Sequence, residues 1–145
     1  MHLKAEGTVT IDRQPGDVFA VVADASRWPD WSKGAGKILN VSDNPATLGT
    51  TWTQITRLLG KDLEIHAKVN VYQANGKFGY QIDKPVPANE LYELEPSGSG
   101  TRLTFAIEGD PGGFFGVAAP LLKKVLKDQI NADLGRLKAQ LEARG

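Results

Sequence analysis

The chain carries its apolar residues in two periods, and the switch between them limits the fold more than any other feature. In most segments between Leu3 and Ile107 they return at every second position. From Phe115 to Leu141 they return every third or fourth. The first period is that of strands with one buried face, the second that of an amphipathic helix.

Leu3, Ala5, Val9 and Ile11 alternate with polar residues and predict an opening strand. Pro15 and Asp17 follow, suited to the first turn of a short helix whose apolar face is Val18, Phe19, Val21 and Val22. Asp24 to Trp31 reads as a second short helix or tight helical turn, interrupted at Pro29. Strands are predicted over Lys37 to Ser42 and Thr50 to Leu58. In the next strand Leu63, Ile65, Ala67, Val69 and Val71 share one face. Asn75-Gly76 signals a hairpin with positive φ at both central positions. Phe78, Tyr80 and Ile82 continue beyond it until Pro85 and Pro87. Glu90, Tyr92 and Leu94 share a face of the next strand, and Leu103, Phe105 and Ile107 a face of the last.

The helical stripe is Phe115, Ala119, Leu122, Leu126, Ile130, Leu134, Leu137 and Leu141, widened by Leu121 and Val125. Lys123, Lys124, Lys127, Asp128, Arg136, Lys138 and Glu142 cover its outside. Pro120 marks either the first turn of this helix, after a separate Phe114–Ala119 turn, or a kink within it. Seven antiparallel strands and one long helix predict an α+β fold: a curved sheet wrapped around the C-terminal helix, with two short helices after the first strand. A sheet cannot close tightly on a helix about 10 Å across along its whole length, so a cavity is expected.

The bounds agree with this reading. At 145 residues, 1–145 is expected to be one domain. Seventeen basic residues balance seventeen acidic ones, which gives no electrostatic case for nucleic acid. The absence of cysteine excludes disulfides, zinc–thiolate sites and a cysteine nucleophile, and it fits a cytoplasmic location. Met1 to Asp12 lacks the pattern of a signal peptide, and no segment has spanning length. Asn40-Val41-Ser42 matches a glycosylation pattern and is read as chance.

Several stretches resemble one superfamily in order and spacing. They are Ile11-Asp12 before Pro15 and Asp17-Val18-Phe19; Asp24 with Trp28-Pro29-Asp30-Trp31; Gly49-Thr50-Thr51-Trp52; Tyr92-Glu93-Leu94-Glu95-Pro96 with Gly100-Thr101-Arg102-Leu103; and Leu134 with Leu137-Lys138. The chain thus resembles the SRPBCC superfamily, the helix-grip fold of START lipid-transfer domains, plant pollen allergens and polyketide cyclase/dehydrase-like proteins. The resemblance implies a fold and a pocket for apolar molecules, and it does not select a reaction.

The candidate cavity residues are Trp52, Gln54, Tyr80, Glu90, Tyr92, Phe105, Phe115, Leu122 and Leu126. Glu90 and Tyr92 are the catalytic candidates. Glu90 is in phase with Tyr92 and Leu94, and a carboxylate in an apolar cavity has a raised pKa. Its place near Pro87 and Asn89 suits a solvated strand end, the reading favoured here. Tyr80 and Tyr92 pair an apolar ring with a hydroxyl, suited either to the pocket or to plain core. The face of Trp52 and Gln54 is open to either assignment. Trp28 and Trp31 read as structural plugs at one end of the sheet. His66 lies on the polar face with Glu64 and Lys68, and His2 near a terminus, so neither supports a triad or a metal site. Gly112-Gly113-Phe114-Phe115-Gly116 reads as core aromatics leading into the helix, or as a gate or contact patch. Lys123-Lys124-Lys127 reads as a solvated face, weakened further as a patch by Asp128 and Asp133.

Three functions fit: a carrier for a hydrophobic lipid- or polyketide-like molecule, ranked first; a cyclase/dehydratase-like enzyme; and a regulatory or toxin-like interaction module. The enzyme requires at least two of Glu90, Tyr80, Tyr92 and Gln54 to converge within hydrogen-bond reach. The interaction module requires a filled interior. No cofactor or metal is expected, and a monomer or homodimer is.

Overall fold

The computed structural model describes residues 2–143. Strand β1 (Leu3–Ile11) leads through helix α1 (Pro15–Val22) and a 3-10 helix (Ala25–Asp30) to β2 (Lys37–Leu39). Then come β3 (Thr51–Leu58), β4 (Lys61–Gln73), β5 (Lys77–Ile82), β6 (Ala88–Ser97), β7 (Gly100–Gly109) and helix α2 (Ala119–Ala143). The strands form one sheet in the order β1-β7-β6-β5-β4-β3-β2, every neighbouring pair antiparallel. This is the expected α+β helix-grip arrangement. No helix among the described residues is long and apolar enough to cross a membrane.

The alternating residues do what their period requires. Leu63, Ile65, Ala67 and Val69 on β4, and Phe78, Tyr80 and Ile82 on β5, are buried on the concave face. The alternation of β4 does not run to its end. Val69 pairs with Tyr80 and Val71 with Gly79, so Asn70 is an extra, unopposed residue. Such a bulge reverses the phase beyond it. Val71 is therefore 37% exposed on the outer face, contrary to the sequence reading. Tyr72 takes the inner phase opposite Phe78, its ring edge-on to Phe19 at 5.6 Å, while 38% of it stays exposed.

Four further details depart from expectation. The Asn75-Gly76 loop has three residues between Gln73 and Lys77, and only Asn75 takes positive φ, which asparagine tolerates. Strand β2 stops at Leu39 because Asn40 turns to φ +57°. The 3-10 helix continues through Pro29 to Asp30. Leu121 is half exposed rather than part of the buried stripe. Pro120 lies in the first turn of α2, where its missing N–H costs nothing.

Helix α2 lies against the concave face and is tied down along its C-terminal half. Lys138 Nζ donates to Thr10 O at 2.6 Å, Gln140 Nε2 to Asp30 O at 2.6 Å and Arg136 Nε to Trp31 O at 3.0 Å. Glu142 accepts from the Asp12 N–H at 2.9 Å. Close approach to β1 needs a glycine: a Cβ on Gly7 would stand 2.9 Å from Ile130 Cγ2. Leu134, Leu137 and Leu141 are buried here with Ile11, Val18, Val22 and Leu103.

Leu137 has no exposed surface, whereas Leu121 is 50% exposed. Leu137→Ala is expected to lower unfolding free energy by about 2–5 kcal/mol in urea titration. Leu121→Ala should stay within about 0.5 kcal/mol of the parent. Equal effects would contradict the assigned face of α2.

Candidate functional site

Toward its N-terminal half α2 stands off the sheet and leaves a cavity of about 160 Å³. Leu122, Leu126, Ile130 and Leu134 form the helix wall. Gln54, Ile65, Tyr80, Glu90, Tyr92 and Ile107 belong to the sheet wall. Trp28, Trp31 and Ala35 close the end where the chain leaves the 3-10 helix. The half-exposed Leu58, Val86, Pro111 and Phe115 mark the opening to solvent.

Among the sequence candidates, Gln54, Tyr80, Glu90, Tyr92, Phe105, Phe115, Leu122 and Leu126 stand on the lining. Trp52 does not. Its strand faces inward, and its ring lies behind the cavity, edge-on to Trp28 at 5.2 Å and to Tyr80 at 4.9 Å. Its indole N–H is directed to Gln54 Oε1 at 3.3 Å, so Trp52 helps orient a lining residue without being one. The two phenylalanines of the glycine-flanked segment separate. Phe115 joins the lining, and Phe114 points out under the Lys61 ammonium, 5.4 Å from its ring centre.

Glu90 is half-buried on the cavity lining rather than in open water at a strand end. It sits directly opposite Tyr80 in the β5–β6 register, so both side chains stand on the same inner face. The Tyr80 hydroxyl donates to Glu90 Oε1 at 2.9 Å. Burial pushes the Glu90 carboxyl up to about 7, and the Tyr80 hydrogen bond only partly offsets this. The Tyr80 and Tyr92 hydroxyls are both held well above the usual phenol range, first by burial and then by the neighbouring Glu90 charge. The next inward residue on β6, Tyr92, is 5% exposed and packs on Phe105 with ring centres 4.3 Å apart. Its hydroxyl has no hydrogen-bond partner among the described residues.

Sequence reasoning missed two features. Trp28 and Trp31, read as plugs, both contribute to the lining. Trp28 donates to Val22 O at 2.9 Å, whereas the buried Trp31 Nε1 has no partner among the described residues. Asp133, read as an outer charge, is buried. It accepts from Ser32 Oγ at 2.7 Å, from the N–H groups of Lys33 and Gly34, and from Arg136. The signal was present: Asp133 lies three residues after Ile130 and four before Leu137, in phase with the stripe. His66 is exposed and meets Glu64 at 3.1 Å, away from the cavity. Among the described residues no three His, Cys, Asp or Glu side chains converge as a metal site.

The Glu90 carboxyl makes stability depend on pH. Its folded value of about 7 lies above the ordinary 4.5, so the fold favours the neutral acid. That contribution is complete below about 4.5 and is lost as pH rises through about 7. Glu90→Gln keeps a neutral group at every pH. The variant should gain on the parent between pH 4.5 and 8, by up to about 3 kcal/mol before solvent screening reduces it. Thermal melts at pH 5 and pH 8 check this; a constant offset would contradict it.

Comparison with known proteins bears on the whole chain. Residues 2–142 match the family described as polyketide cyclase / dehydrase and lipid transport. No functionally curated sequence matches. Among solved structures, a START superfamily protein from Mycobacterium smegmatis aligns with TM-score 0.79 and 14% identity, over 100% of both chains. The protein TTHA0849 from Thermus thermophilus aligns with TM-score 0.76 and 15% identity, over 100% of this chain and 99% of that one. The di-domain ARO/CYC StfQ of the steffimycin biosynthetic pathway aligns with TM-score 0.79 and 14% identity. That match covers 99% of this chain and 52% of StfQ. With a family match over nearly its full length and the same fold in these structures, the chain belongs to the polyketide cyclase / dehydrase and lipid transport family.

Proposed function

We propose that this chain is a single-domain binding or carrier protein for a hydrophobic small molecule, taken up in the cavity between α2 and the sheet. The observation that carries this reading is the lining: aliphatic and aromatic side chains on every wall, interspersed with a few polar groups such as Gln54, Glu90, Gln129 and Asp133. Such a site gains affinity from apolar burial and orientation from its polar groups. Size narrows the ligand. An apolar cavity of about 150 Å³ holds a benzene-sized molecule. The 160 Å³ here therefore encloses one ring, with a second ring or a longer chain reaching out through the opening beside Pro111 and Phe115. The unfilled interior weighs against an interaction module with a vestigial pocket. A second reading, cyclase- or dehydratase-like catalysis, is favoured by one observation, the Tyr80–Glu90 hydrogen bond among the lining residues.

Native mass spectrometry of the purified protein, beside mass spectrometry of its organic extract, should reveal a stoichiometric apolar molecule. For the emptied protein, 1-naphthol serves as the calorimetric probe. Leu126→Trp fills the helix wall and is expected to weaken binding at least about tenfold, or about 1.4 kcal/mol. Tyr92→Ala on the opposite wall should also change the isotherm. Unchanged isotherms in folded variants of both would sink the assignment.

A further inference from the structure

We propose that the closed end of the cavity recognises a carbonyl group, with the Gln54 side-chain amide, held by Trp52, donating to the oxygen of a ketone, ester or quinone. The inference rests on the binding reading above and names the class of ligand.

The orientation of one amide carries it. Trp52 and Gln54 share the inner face of β3 and are 2% and 8% exposed. An indole has an N–H to donate and no acceptor. The end of the Gln54 amide that meets Trp52 Nε1 at 3.3 Å is therefore the oxygen, Oε1. The opposite orientation would set donor against donor in a buried place. With Oε1 held, Nε2 is the end left for a ligand. It has no partner among the described residues, and Gln54 lines the cavity.

The other polar side chains at this end are engaged or are donors themselves. Thr56 Oγ1 donates to Gly34 O at 2.5 Å, which ties β3 to the segment that follows Trp31. Ser32 Oγ donates to Asp133 at 2.7 Å and accepts from the Ala35 N–H at 3.0 Å. Asp133 is occupied further by the N–H groups of Lys33 and Gly34 and by Arg136. Trp31 Nε1, on the same lining, is buried without a partner among the described residues and is again a donor. Gln129 faces Gly34 from α2 and has no side-chain partner among the described residues, so its amide presents whichever end a ligand requires. A carbonyl oxygen satisfies such donors and brings no hydrogen of its own. A hydrocarbon of the same shape leaves them unpaired in an apolar enclosure, which lowers its affinity. The ring of the ligand packs on Ile65, Leu126 and Ile130.

The test compares acetophenone with α-methylstyrene, two molecules of one shape in which C=O is exchanged for C=CH2. Calorimetry measures the binding of each. Gln54→Met keeps the side-chain length and removes the donor. It should weaken acetophenone at least about tenfold and α-methylstyrene less than about threefold. Trp52 is a positioning residue, and Trp52→Phe frees the amide to turn. Acetophenone should then lose more affinity than 1-phenylethanol, whose hydroxyl suits either end of the amide. Infrared spectroscopy of bound acetophenone gives a readout on the parent protein alone. A hydrogen bond weakens the C=O bond, so its stretch should lie below the frequency found in hexane, and should rise in Gln54→Met. Equal losses for the two ligands, or a stretch in the parent at the hexane frequency, overturn the proposal and leave the binding reading standing. Acetophenone that does not bind while 1-naphthol does overturns it too. Failure of native mass spectrometry and of 1-naphthol binding together would remove the binding reading beneath it.

Discussion

The packing of α2 on the concave sheet is the contact on which the other elements depend. The sheet has one apolar face and the helix one apolar stripe, and neither is stable in water without the other. The two surfaces match only along part of their length. The sheet is curved and α2 is one 25-residue helix, so close contact at one end requires separation at the other. Bonds from Arg136, Lys138, Gln140 and Glu142 place the close end at the helix C-terminus. The cavity is therefore a geometric consequence of the grip, set against the helix's first turns.

Two carboxylates are drawn into this interior, and they are treated in opposite ways. Asp133 is surrounded by donors: a hydroxyl, two backbone N–H groups and a guanidinium. It joins α2 to the chain that follows the 3-10 helix, and so builds the wall carrying Trp31 and Ala35. Glu90 has one donor among the described residues, the Tyr80 hydroxyl. Desolvation then dominates, and the group stands near half ionisation at neutral pH. A fully satisfied buried charge serves the fold, whereas an under-satisfied one is available to a ligand.

Much of this was legible in the sequence, for reasons tied to particular residues. Phe78, Tyr80 and Ile82 alternate because each strand buries one face, and Leu134, Leu137 and Leu141 repeat because the helix does. Local rules read both directly. They failed at Val71, because the bulge at Asn70 reverses the phase and carries no marker of its own. They failed at Asp133, because a charged residue in an apolar stripe reads as outward until its partners from residues 32–34 are known. They also misjudged Glu90. Pro87 and Asn89 signal a strand end, but β6 begins at Ala88 and pairs Glu90 with both Tyr80 and Ile107.

By itself the sequence determined the order of elements, the inner face of most strands and the buried stripe of α2. Each of these follows from periodicity within a dozen residues. The tertiary structure decided the rest: which end of the helix stands off the sheet, that Trp52 backs the cavity while Trp31 lines it, and that Glu90 meets Tyr80. The reason is physical. These outcomes depend on distances between segments remote along the chain, and on the free-energy cost of leaving polar atoms unpaired there. Neither quantity exists until the sheet has curved around the helix.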